Sequence, residues 1–81
     1  MRKPVTLDGV VTSLTLPAAG SNPVFHVDIR SDQGPARIAF VGYRSVAGFS
    51  VGRHVEVTGV VTSTLNGPTI FNPLYTLKGQ S

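Results

Sequence analysis

Between residues 24 and 30 apolar and polar side chains alternate strictly, with Phe25, Val27 and Ile29 on one side of an extended chain and His26, Asp28 and Arg30 on the other. A period of two is the signature of a strand with one face in a core and one in water. The turn formers Ser31-Asp32-Gln33-Gly34-Pro35 follow, and the alternation then resumes with Ile38 and Phe40 inward and Arg37, Ala39 and Val41 outward. Two such runs joined by a tight turn predict a hairpin. Upstream, residues 5–16 are rich in Val, Thr and Leu and stop at Pro17-Ala18-Ala19-Gly20-Ser21-Asn22-Pro23, which predicts a long first strand and a loop. Gly9 inside that strand predicts a bend, because a residue without a side chain lets a strand coil from one sheet into another.

After Gly42 the alternation stops. Residues 43–52 hold Val46 and Phe49 three apart between glycines, which predicts a short helical turn or irregular connector whose Val46 and Phe49 plug one end of the core. Residues 54–64 read as a strand again, with Val55 and Val57 inward, Glu56 and Thr58 outward, and Gly59 as a second bend. Asn66-Gly67 is the strongest hairpin signal in the chain, since both residues tolerate positive φ. Residues 69–71 and 74–77 form a last strand interrupted by Asn72-Pro73, and Pro73, which donates no hydrogen bond, belongs at a bulge or an edge. The pentapeptide Gly-Val-Val-Thr-Ser occurs at 9–13 and again at 59–63. Two copies do not make a solenoid, and two strands that each bend beside a partner account for them.

Eighty-one residues, 41% hydrophobic and 14% charged, with no apolar run of membrane-spanning length, describe one small domain. We expect it to occupy residues 1–81, with a core over about 4–78 and flexible ends. A chain of this size buries only roughly 60% of its unfolded surface. With no cysteine to staple it, a sheet closed into a barrel is an economical solution. The absence of cysteine also removes disulfides and thiolate metal sites. The first residues are basic but lack the apolar stretch of a secretory signal, so a cytoplasmic location is expected. Strand, strand, strand, connector and a hairpin of two strands is the plan of an all-β, five-stranded Greek-key OB-fold barrel, with the short helical or irregular connector between strands three and four.

The residues Val5-Thr6-Leu7-Asp8-Gly9-Val10-Val11, Phe40-Val41-Gly42, Val51-Gly52-Arg53-His54-Val55-Glu56-Val57-Thr58-Gly59 and Asn72-Pro73-Leu74-Tyr75-Thr76-Leu77 cover most of the chain. On them it resembles the OB-fold nucleic-acid-binding family, and within it the wedge domain of RecG-type helicases, anticodon-binding and exonuclease-associated OB modules, and small bacterial OB-fold proteins. One departure is Pro35 after Asp32-Gln33-Gly34, which stiffens the hairpin tip. The resemblance implies single strands lying across strands two and three, gripped by the loops joining strands one to two and four to five. By position that face holds His26, Asp28, Arg30, Arg37, Ala39 and Val41, flanked by Tyr43 and Arg44, with Asn66 in one loop and Ser21 and Asn22 in the other.

Seven Lys and Arg against four Asp and Glu give a net charge of +3, which favours polyanionic partners without demanding them. Binding of single strands needs cations along a backbone and flat side chains on which bases stack. Arg30, Arg37 and Arg44 supply the charge. Tyr43, just past the last inward residue, is the best stacking candidate, as a ligand contact or as an ordinary rim tyrosine. Phe40 has core parity, and Phe25, Phe49, Phe71 and Tyr75 are expected as core or plug. His26 is open to stacking, phosphate pairing or plain exposure, and His54 to a solvated rim. Asp28 repels phosphate unless it pairs with Arg37 across the hairpin. The candidate set is therefore Arg37, Tyr43, Arg44, Arg30, His26 and Asn66.

Two histidines without a third ligand make no zinc site, and no nucleophile elbow, phosphate-cradling loop or carboxylate cluster accompanies them. No catalytic residue, metal or cofactor is expected, and the protein is not expected to be an enzyme. The expected function is binding of single-stranded DNA, in preference to RNA and largely without sequence specificity, as a free protein or an accessory module in DNA repair or recombination. The alternative is a protein-interaction or assembly module that docks a partner, or a second copy of itself, through an edge or through Ala39 and Val41. No membrane partner is expected.

Overall fold

The structure is a computed structural model that describes residues 3–20 and 22–79. The terminal segments expected to be flexible at 1–2 and 80–81, and Ser21, lie outside the described residues. Seven strands follow one another: β1 (Val5–Thr15), β2 (Val24–Ser31), β3 (Gly34–Val41), β4 (His54–Gly59), β5 (Val61–Thr64), β6 (Gly67–Phe71) and β7 (Leu74–Leu77). They form one mixed sheet in the order β5-β6-β3-β2-β1-β4-β7. Neighbours are antiparallel except β3 and β6, which run parallel. No helix among the described residues is long and apolar enough to cross a membrane.

The expected hairpin of β2 and β3 is present in full register, from Val24 opposite Val41 to Ser31 opposite Gly34. β1 is the long first strand, and its two halves serve different partners. Residues from Val5 to Val10 pair with β4, while those from Gly9 onward pair with β2. Gly9 sits at the crossing, where an added Cβ would lie 2.6 Å from the Arg30 carbonyl oxygen, so only glycine allows β1 and β2 to approach. Gly59, heading the second pentapeptide copy, leaves room for a side chain instead, its Cβ position lying 2.5 Å from Ile70 Cγ2.

Two expectations need correction: there are seven strands rather than five, and the sheet is not closed into a barrel. The connector from Gly42 to Gly52 takes the irregular form, with turns and bends. The extra strands arise because Val60 interrupts one expected strand and Asn72-Pro73 the other. Asn72 adopts φ 47, outside the strand region, and Pro73 has no N–H to donate to a ladder. β4 and β5 nevertheless stand near opposite ends of the sheet order with a single residue between them, a span of at most about 7.6 Å between flanking Cα atoms. The sheet therefore curls until its ends meet around the core, yet its outer edges, β5 and β7, do not pair.

The inward residues read from alternation, Phe25, Val27, Ile29, Ile38, Phe40, Val55 and Val57, join Leu7, Val11 and Ile70 in one buried cluster. Each large apolar side chain so buried contributes on the order of 1.5–3 kcal/mol relative to exposure. Phe49 joins the cluster from the connector and Val46 packs against it, so these two plug the open end as their spacing predicted.

Candidate nucleic-acid interface

Residues paired across neighbouring strands point to the same face, so the outer face can be built row by row. One row runs Thr15, His26, Ala39, Phe71 across β1, β2, β3 and β6. The next runs Ser13, Asp28, Arg37, Thr69. Arg30 stands at the far end of β2, opposite Val10 and Pro35.

The first row departs from expectation at two positions. Phe71, expected in the core or plug, is 49% exposed, because Ile70 takes the inward position beside it and is fully buried. Ala39 points outward as expected but is 0% exposed, so it has no surface with which to dock a partner. Its methyl group lies between the larger His26 and Phe71, whose strands are two ladder spacings, about 10 Å, apart. His26 and Phe71 therefore cover it, and Phe71 is the exposed ring of the row. Val41, the other apolar residue expected outside, is exposed. Alternation counted from Ile70 already puts Phe71 on the outer face.

The second row is electrostatically closed. Arg37 Nε donates to Asp28 Oδ1 at 2.8 Å and its Nη2 to Oδ2 at 3.2 Å, a bidentate pair. Ser13 Oγ adds a hydrogen bond to Oδ2 at 2.8 Å. The Arg37 hydrogen bond is the main reason the Asp28 carboxyl titrates below its ordinary range, outweighing the effect of its burial, and the same bond raises Arg37. Arg37 thus brings little net charge to the face. On the opposite side, Lys78 is likewise paired with Asp8 at 3.1 Å. Among the described residues Arg30, Arg44 and Arg53 have no carboxylate partner.

Asn66 belongs with Arg37. The β5–β6 turn brings it to a hollow of about 320 Å³ lined also by Thr12, Asp28, Arg37 and Gly67. Asn22, with φ 59, remains in the β1–β2 loop.

Tyr43 and Arg44 leave the face altogether. Gly42, with φ 92, turns the chain after β3, and the Tyr43 ring stands edge-on to Phe40 at 6.4 Å and 82° at the open end of the sheet. There Phe40, Tyr43, Val46, Asn72, Pro73 and Tyr75 line a groove of about 410 Å³ that Val41 extends. Tyr75, expected as core or plug, caps Phe49 at 5.1 Å but keeps 40% exposure. The Arg44 guanidinium donates to the Gly20 carbonyl, tying the connector to the β1–β2 loop. Of the six candidate residues, the structure gathers His26, Arg37 and Asn66 on one surface, places Arg30 at its margin, and sets Tyr43 and Arg44 around the corner.

Among the described residues no group of three or more His, Asp or Glu side chains gathers where a metal could be held. Comparison with protein-family models, curated proteins and solved structures finds no match, so the resemblance to the OB-fold family gains no support from them.

Proposed function

We propose that this chain binds single-stranded nucleic acid across the outer face of β2, β3 and β6, by stacking and backbone charge rather than by reading base edges. The observation that carries the proposal is the first row: a half-exposed Phe71 ring and a partly buried His26 on the strands flanking a covered Ala39. A base laid on the exposed Phe71 ring stacks without needing a sequence-specific partner. Arg30, unpaired with a carboxylate, stands at the margin of the face opposite Val10 and Pro35 and meets the phosphate of a strand lying across it. Arg37 is held by Asp28 and shapes the face more than it charges it.

Counting β4 with β5 and β6 with β7 as single bent strands gives first-with-second, second-with-third, first-with-fourth and fourth-with-fifth antiparallel pairs and a parallel third-with-fifth pair. That set of pairings supports a five-stranded Greek-key OB arrangement whose ligand face is the one described.

Fluorescence anisotropy with labelled oligothymidine and oligouridine at low ionic strength, about 50 mM salt, tests the reading. Binding should weaken as salt rises, and Phe71→Ala should weaken it by about tenfold, the loss of one stacked base. Absence of binding to either oligomer at low salt sinks the proposal.

A further inference from the structure

The groove at the open end has a chemistry of its own. Its floor is Phe40, and the rings of Tyr43 and Tyr75 each stand nearly perpendicular to it, at 82° and 80°. Pro73 and Val46 complete its apolar walls. Its free polar groups are the two tyrosine hydroxyls and the Asn72 amide nitrogen, since Asn72 Oδ1 already accepts the Val41 N–H at 2.8 Å. Each of these groups can donate a hydrogen bond. At about 410 Å³ the groove is within the size range of ligand sites.

Such a lining suits a partner that is apolar, flat-sided and poor in donors of its own. A proline-rich segment in the polyproline II conformation answers that description: its rings pack on aromatic walls, its prolines lack N–H groups, and its carbonyls point outward unsatisfied. A partner strand added to the edge of β7 would be held by backbone hydrogen bonds and would leave the tyrosine hydroxyls and the Asn72 amide unused. Arg44, next to the Tyr43 wall, holds a backbone carbonyl and no carboxylate, so its charge is uncompensated. We propose that the groove docks a proline-rich segment in polyproline II form that carries an acidic residue beside its prolines, facing Arg44. This site is separate from the outer face, and the proposal stands without the nucleic-acid reading.

The chain has two tyrosines and no tryptophan, and both tyrosines line the groove. Tyrosine emission therefore reports on this site alone. The probe is a synthetic peptide of Pro-Pro-Leu repeats ending in Glu-Glu, with a control in which every Pro is Ala. The proline peptide should bind at least about tenfold more tightly than the control and change tyrosine emission. Tyr75→Phe, which keeps the packing and removes one donor, should weaken binding severalfold, and Arg44→Gln should weaken the Glu-Glu peptide but not a Gln-Gln version. Phe71→Ala should leave peptide binding unchanged, which keeps this site distinct from the outer face. Equal binding of the proline and alanine peptides overturns the proposal, and so does displacement of the bound peptide by oligothymidine, which would give the groove to nucleic acid.

Discussion

The outer face and the end groove are separated by only the kink at Asn72-Pro73, yet they are built on opposite principles. The outer face carries the charged residues that a sequence search for nucleic-acid contacts selects, and its central cation is neutralised: Asp28 takes both ends of the Arg37 fork and Ser13 braces it. The end groove carries no ion pair but concentrates exposed aromatic surface, with Tyr43 at 54% and Tyr75 at 40% exposure around Phe40. The lesson is that a count of residue types does not locate a site. What matters is which groups are left without a partner once the chain has folded, and here those are a phenyl ring on one surface and hydroxyls and an amide on the other.

The largest expected effect tests whether the groove is part of the core. Phe40→Ala removes the ring that contacts Phe25, Phe49, Tyr43 and Tyr75, and should cost about 3–5 kcal/mol in urea unfolding. The same deletion at Phe71, on the outer face, should change stability by less than about 1 kcal/mol. Equal losses at the two positions would break the distinction between a groove rooted in the core and a ring standing clear of it.

A smaller effect probes the neutralised pair. Asp28→Asn releases Arg37, so oligonucleotide affinity should rise a few-fold and the slope of log K against log salt should steepen by about 0.7, the value for one more phosphate contact on a single strand. Peptide binding in the groove should not respond. An unchanged slope would mean that Arg37 does not face the ligand at all.

The smallest effect is in the pH dependence of stability. Because folding lowers the Asp28 pKa from its ordinary 3.8, the stability this carboxylate contributes is fully present above about pH 5 and is lost as pH falls through the lowered folded value. The pair is partly exposed, so the amplitude should stay below about 1 kcal/mol. Urea midpoints measured from neutral pH down to about pH 3 should fall less steeply in Asp28→Asn than in the parent chain.

Much of this was legible before folding was considered. Strict alternation in residues 24–30 and 36–41 placed Val27, Ile29, Ile38 and Phe40 in the core, because a period of two is a local property of extended chain and needs no knowledge of what lies opposite. Gly9 and Gly59, read as bends, fall at two close approaches in the sheet, since a missing side chain leaves a mark in any sequence. Asn66-Gly67 announced the β5–β6 turn for the same local reason.

What only the tertiary structure decided lies where a neighbour from elsewhere in the chain sets the outcome. Asn72-Pro73 shifts the alternation by one residue, so Phe71 faces out while Tyr75, opposite the buried Val57, turns in toward the groove. An unbroken strand would have put both rings on one face. Ala39 is outward by its own parity and buried by His26 and Phe71 on the strands beside it. The pairing of Arg37 with Asp28, which the sequence offered as one outcome across the hairpin, is made in the sheet by a bidentate contact. Parity is written into consecutive residues, whereas exposure and effective charge depend on partners that only the curled sheet brings alongside.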